Sequence, residues 1–173
     1  MSAPIYLITG VMASGKSTVA EGLAQRFPQS VHLKGDIFRR MIVRGQAAMS
    51  LELSPEAEKQ LQLRYDIAAD AAKRYADAGF TVVYQDIILG KTLEAVVAKF
   101  DGYDLKVFVL APDADAVSYR ELNRGKSGYR NRAEIDAFDK ILREETPRIG
   151  TWIDSSKLTA RETVDAIMAE SDG

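Results

Sequence analysis

Residues 10–17 read Gly-Val-Met-Ala-Ser-Gly-Lys-Ser, the spacing G-x-x-x-x-G-K-S. Those residue types in that order suit a polyphosphate. Gly10 and Gly15 let the backbone approach phosphate oxygens and adopt positive φ. Unpaired N–H groups at the start of the following helix point at an anion. Lys16 adds a mobile positive charge, and the Ser17 hydroxyl is an oxygen ligand for Mg²⁺. The predicted phosphate-holding set is therefore Gly10, Ala13, Ser14, Gly15, Lys16, Ser17 and Thr18. A strand–helix turn that needs glycine for sharpness alone leaves Lys16 and Ser17 unexplained.

Three further groups have types and positions that suit phosphoryl transfer. Asp36 is a candidate base for an acceptor hydroxyl, and Arg39, one helical turn later, is a cation to hold the acceptor. The bland alternative makes Asp36 a helix cap and Arg39 a solvated charge. Asp86 closes the apolar run Phe80-Thr81-Val82-Val83-Tyr84-Gln85, the pattern of a second carboxylate that holds Mg²⁺ or its water. A substrate-linked role for Asp86 stays open beside that one, and Gln85 offers a hydrogen bond to substrate. Arg120 and Arg124 share a helix face just before a polar segment carrying Gly125, Gly128, Arg130 and Arg132. Cations on a closing lid stabilise the charge that develops during phosphoryl transfer. A solvated basic face is the alternative for these arginines.

The elements that must position these residues alternate. Ile5 to Thr9 reads as a buried strand, and the helix after the loop carries Val19, Leu23 and Phe27 at i, i+4 and i+8. Val31 to Leu33 is a short second strand, with a helix starting near Asp36. Ser54-Pro55-Glu56 opens a long helix that runs to Ala78 and stops at Gly79, with Leu61, Tyr65, Ala68, Ala72 and Tyr75 as its buried stripe. Strand three follows to Gln85, then a helix from Thr92 to Phe100 and a strand from Leu105 to Leu110. Asp113 caps a helix ending near Arg124. Lys126 to Arg132 reads as a mobile loop, and Asn131 with Glu134 caps a helix to Glu145. Ile149 to Ile153 is a fifth strand containing Trp152, which is assigned to the core. Thr159-Ala160-Arg161-Glu162 is a capping box for the last helix. Strands alternating with helices predict a five-stranded parallel sheet covered on both faces, with ligands outside the carboxyl ends of its strands.

Composition narrows the function. The 173 residues suit one domain, with a lid at roughly residues 120–132, and the 46% apolar and 28% charged content is that of a soluble globular chain. No apolar run is long enough to span a bilayer, and Met-Ser-Ala-Pro leads straight into a strand, so no membrane partner, no signal peptide and a cytoplasmic location are expected. The absence of cysteine removes disulfides, thiolate metal sites and cysteine nucleophiles. His32 is the only histidine and lies within a strand, which leaves carboxylates as the candidate bases. A net charge of −2 and a pI near 5.5 disfavour a nucleic-acid partner.

The pieces Gly10–Thr18, Gly35-Asp36-x-Phe38-Arg39, the strand ending at Asp86, Arg120-x-x-x-Arg124 and Ile153-Asp154-Ser155-Ser156 together resemble small P-loop kinases of the nucleoside-monophosphate-kinase type. The chloramphenicol-phosphotransferase-like group is the nearest match among them. The resemblance implies a three-layer α/β fold with strand order 2-3-1-4-5, Mg·ATP as donor, a base at Asp36 and a lid arginine at Arg120 or Arg124. It also implies that the loop from Asp154 to Lys157 lies near adenine. The Asp36-x-x-Arg39 pattern is similar to polynucleotide 5′-hydroxyl kinases too.

The expectation is an ATP- and Mg²⁺-dependent kinase acting on a hydroxyl of a small molecule, with Met41 to Pro55 lining the acceptor pocket. A 5′-hydroxyl kinase of nucleic acid and a nucleotide-binding ATPase or switch are the alternatives. Neither the acceptor nor the oligomeric state is written in the sequence.

Overall fold

Apolar residues occupy successive positions of the central strands, so both faces of the sheet must be covered. In the computed structural model, which describes residues 1–125 and 128–173, they are. Strands β1 (Ile5–Thr9), β2 (Ser30–Lys34), β3 (Thr81–Gln85), β4 (Leu105–Leu110) and β5 (Thr151–Ile153) form one parallel sheet in the order β2-β3-β1-β4-β5. Leu7 of the central strand lies level with Tyr84 on one side and Val107 on the other. The class is the one the sequence predicts, and the strand order is the one the resemblance implies.

The period-two alternation of the strands divides the core. Ile5, Leu7, Val82, Tyr84, Val107 and Val109 face helices α3 (Pro55–Asp77) and α4 (Thr92–Ala98), where Tyr65, Ala68, Ala72, Leu93 and Val96 meet them. Tyr6, Ile8, Val83, Phe108 and Leu110 face α1 (Lys16–Ala24) and α7 (Ala160–Ser171) through Val19, Ala20, Leu23, Val164 and Ile167. Each fully buried side chain of this size contributes roughly 1.5–3 kcal/mol of transfer free energy.

Helix starts follow the caps legible in the sequence. Ser54, Asp113, Asn131 and Thr159 each accept an amide of the first turn, and Thr159 with Glu162 completes a capping box. Helix α5 spans Ala114–Leu122, and α6 spans Arg132–Lys140. The helical run after α6 differs from expectation, because Ile141–Glu145 winds as a π turn. There the Thr146 hydroxyl donates to the Ile141 carbonyl and accepts the Gly90 amide, and Pro147 follows.

The stripe of α3 also differs at two places. Tyr75 is exposed and packs edge-on against Phe80, while Arg64 is buried. Trp152 packs against the larger core cluster, with the Arg148 guanidinium 3.9 Å from the centre of its ring.

Candidate active site

Helix α1 begins without a side-chain cap. Gly15, its N-cap, has no side chain to offer, and the first intrahelical amide bond is Val19 to Gly15. The amides of Lys16, Ser17 and Thr18 thus form a cluster of positive dipole ends at the mouth of a 730 Å³ cavity. The loop that presents them is tightly built. A methyl group on Gly10, at φ +154°, would stand 2.6 Å from the Leu110 carbonyl oxygen, so only glycine fits there. Ala13 adopts the left-handed conformation at φ 60°.

Lys16 is buried, and its ammonium donates to the Val11 carbonyl at 2.7 Å and reaches Ser14 Oγ at 3.5 Å. Burial pushes its pKa down to about 7, against the attraction of Asp86 and Asp36. A polyphosphate in the cavity would reverse that balance. Ser17 is exposed at the cavity mouth, and its hydroxyl makes no hydrogen bond among the described residues. That donor set fits a magnesium ion that takes most of its ligands from phosphate and water.

Helix α2 (Asp36–Arg40) follows β2 directly, and Asp36 and Arg40 join Lys34, the last residue of β2, in lining the same cavity. Asp36 is the first helical residue and not the cap, which is Gly35. Its carboxylate is half-exposed and forms an ion pair with Arg40 at 2.9 Å. Arg39, the cation expected to hold the acceptor, does not line the cavity. It turns the other way, donating to the Ala47 carbonyl at 3.2 Å. Gln46 donates to the Arg39 carbonyl, and Gln60 of α3 binds both the Gly45 carbonyl and the Ala47 amide. These bonds fold the segment from Met41 to Pro55 back onto α3. None of its residues lines the cavity, contrary to expectation.

Asp86 does line the cavity with Gln85, yet its carboxylate is already committed. Arg64 donates to it through both Nε, at 3.2 Å, and Nη2. The Tyr84 hydroxyl donates at 3.0 Å and the Ile87 amide at 2.8 Å. Four donors leave Asp86 poorly placed to take a proton or to ligate a metal directly. The pair is buried on both sides, with side-chain exposures of 8% for Arg64 and 1% for Asp86. Gly35 is required by this arrangement, since a methyl group there would overlap the Asp86 carboxylate. Arg64 was not among the predicted residues. Its signal was present: it stands three residues after Leu61 and four before Ala68, on the apolar stripe, where a charge demands a partner.

The last contributor is α5. Arg120 donates to the Ser14 carbonyl at 3.2 Å and to the Ser155 carbonyl at 2.7 Å, tying the phosphate loop to the turn after β5. Arg124 lines the same cavity and pairs with Glu121 at 3.1 Å. Of the expected mobile loop, Lys126 lies outside the described residues, as does Ser127. The part that follows is docked. Glu121 accepts the amides of Gly128 and Tyr129, and the Tyr129 hydroxyl donates to the Met12 carbonyl at 2.7 Å. Arg130 and Arg132 line a separate 360 Å³ hollow, where Arg132 joins Asp115 to Asp136. Of the turn after β5, Ser155 reaches the main cavity, while Asp154 holds that turn through the Ser156 amide and hydroxyl.

A parallel sheet in this order, with a glycine-rich loop and an uncapped helix at its carboxyl edge, defines a P-loop kinase-type fold. The chain belongs to the AAA domain family, which it matches over residues 5–147. No curated protein matches it in sequence. Among solved structures it is similar to the tunicamycin resistance protein of Deinococcus radiodurans, at 19% identity and a TM-score of 0.72, over 98% of this chain and 95% of that one. The APS kinase of Mycobacterium tuberculosis, solved with AMPPNP and APS, gives 16% identity and a TM-score of 0.72 over 99% of both chains. A gluconokinase from Sinorhizobium meliloti gives 18% and 0.67 over 97% and 90%. These likenesses establish the fold, and they agree with the resemblance to small P-loop kinases carried by the motifs.

Proposed function

We propose that the protein is an ATP- and Mg²⁺-dependent phosphotransferase that moves the γ-phosphoryl group to a hydroxyl of a small molecule. One observation carries the reading: the uncapped α1 terminus with Lys16 and Ser17, and the Asp36 carboxylate, line one and the same 730 Å³ cavity. That volume suits a nucleotide-sized ligand, not a protein partner. The AMPPNP and APS bound by the similar APS kinase, and the similar gluconokinase, point the same way.

In this reading the amides of Lys16, Ser17 and Thr18 and the Lys16 ammonium hold the β- and γ-phosphates. Ser17 would hold Mg²⁺, which supplies charge neutralisation at the phosphates. The acceptor hydroxyl oxygen forms a bond to the γ-phosphorus as the bond from that phosphorus to the bridging oxygen breaks. The hydroxyl proton passes to Asp36, and ADP departs with the bridging oxygen. Asp36 is preferred over Asp86 as base because its carboxylate has one ion-pair partner among the described residues, Arg40, whereas Asp86 already accepts four donors. Arg40 takes the part first given to Arg39. Arg120 and Arg124 provide cations beside the phosphates.

Acceptor-stimulated ADP release, measured over sugars, sugar acids, antibiotics, nucleosides and oligonucleotides, tests the reading. A compound that raises ADP release and is recovered phosphorylated supports it. ADP release that no acceptor stimulates, coupled instead to a conformational change, would favour the ATPase or switch alternative.

A further inference from the structure

The two ends of the cavity differ in chemistry. Tyr119, Leu158 and Ala160 line it on the side of β4 and β5, taken as the nucleotide end, whereas Lys34, Asp36, Arg40, Gln85 and Asp86, with Arg64 bound to Asp86, line it on the side of β2 and β3, taken as the acceptor end. That end holds three cations and two carboxylates. Asp36 is matched by Arg40, and Asp86 by Arg64. The side chain of Lys34, at the carboxyl end of β2, makes no ion pair or hydrogen bond among the described residues. Glu21 of α1, which is exposed and hydrogen-bonded to His32 at 2.7 Å, is a carboxylate that feels the charge of Lys34. Solvent screens that interaction.

Arg64 adds a second uncommitted donor group. It grips Asp86 sideways through Nε and Nη2, and its Nη1 makes no hydrogen bond among the described residues. A guanidinium fixed by one carboxylate presents its remaining N–H groups in a set geometry, suited to a second oxyanion. The acceptor end therefore carries one surplus positive charge and an oriented row of donors.

Resting on the phosphotransferase reading, we infer that the acceptor is a small hydroxy compound bearing an oxyanion, a carboxylate or a phosphate. Lys34 and Arg64 Nη1 bind the oxyanion, and the hydroxyl lies toward Asp36. A neutral polyol or an apolar drug would leave both donor groups without a counter-charge. A polynucleotide needs cations along an extended track, and a net charge of −2 gives little support for one.

The test is isothermal titration of the full chain, saturated with ADP and Mg²⁺, with matched ligands. The pairs are gluconate against glucose and glycerol 3-phosphate against glycerol, with a short oligodeoxynucleotide bearing a free 5′-hydroxyl as a fifth ligand. At least one anion should bind about tenfold or more tighter than its neutral match, and Lys34→Gln should remove about tenfold of that affinity while ADP affinity holds. Preference for gluconate or for glycerol 3-phosphate tells carboxylate from phosphate. Lys34 is exposed, so this variant keeps its fold, and an unchanged melting temperature verifies that. The inference is overturned if neither anion binds above its neutral match, if Lys34→Gln leaves anion affinity unchanged, or if the oligonucleotide binds tighter than both anions. ADP release over the same panel separates the two claims. Stimulation by a neutral compound alone overturns the oxyanion inference and keeps the transferase. Lys34-dependent anion binding without any stimulated ADP release supports the oxyanion site and overturns transfer.

Discussion

Raising the pH from about 6.5 to 8.5 should weaken nucleotide binding through the titration of Lys16. In the free protein burial pushes this ammonium down to about 7, and the Val11 carbonyl and the Ser14 hydroxyl are its hydrogen-bond partners. The phosphates bind the charged form, which prevails below pH 7 and is lost above it, so affinity falls as pH rises. At pH 8 about nine-tenths of the free protein carries neutral Lys16. Binding should then take up about 0.9 proton per nucleotide and be roughly tenfold weaker than at pH 6. Titration calorimetry with Mg·ADP at pH 8, in two buffers of different ionisation enthalpy, measures the proton count directly. Lys16→Arg, which stays charged, should flatten the pH dependence. Equal affinity at pH 6.5 and 8.5 with no proton uptake would refute the reasoning. Stability runs oppositely. The unfolded lysine titrates near its ordinary value of 10.5, so the unfolded chain binds more protons between about 7 and 10.5, and the free protein gains stability across that window as pH rises.

Other perturbations follow from the same geometry. Asp36→Asn should lower kcat by about 10²–10⁴-fold with ADP affinity unchanged, and steady-state kinetics showing normal kcat would move the base elsewhere. Arg64→Ala leaves the Asp86 carboxylate buried without its cation and should cost about 3–5 kcal/mol in denaturant unfolding. A loss under about 1 kcal/mol would show that water reaches the pair. Gly35→Ala forces a methyl group against that carboxylate and should destabilise by about 1–3 kcal/mol, so an unchanged melting temperature would contradict the packing. Excess EDTA should abolish phosphoryl transfer, and full activity without divalent cation would remove Ser17 from metal binding.

Much of this molecule is decided locally, and such features were legible. The Gly10–Ser17 motif needs only a strand before it and a helix after it, and the caps at Ser54, Asp113, Asn131 and Thr159 act within one turn. Apolar runs in β1, β3 and β4 demand burial on both faces, which fixes a parallel sheet with flanking helices. The placement of Asp36 and Gln85 at strand ends follows from the same rule. Contacts between distant segments were decided only in three dimensions. Spacing put both Arg39 and Arg40 within reach of Asp36, yet the Ala47 carbonyl takes Arg39 and leaves Arg40 to the carboxylate. Asp86 reads as a metal-side acid until α3, packing on the sheet, delivers Arg64 to it across 22 residues of sequence. Met41 to Pro55 looked like a pocket wall because it follows Asp36, but Gln60 binds the turn at Gly45 and Ala47 and folds it away. A sequence states which backbone conformations and burial patterns a segment prefers; which of several equivalent charges meets which partner depends on ångström-scale packing between elements, and only the assembled fold supplies that.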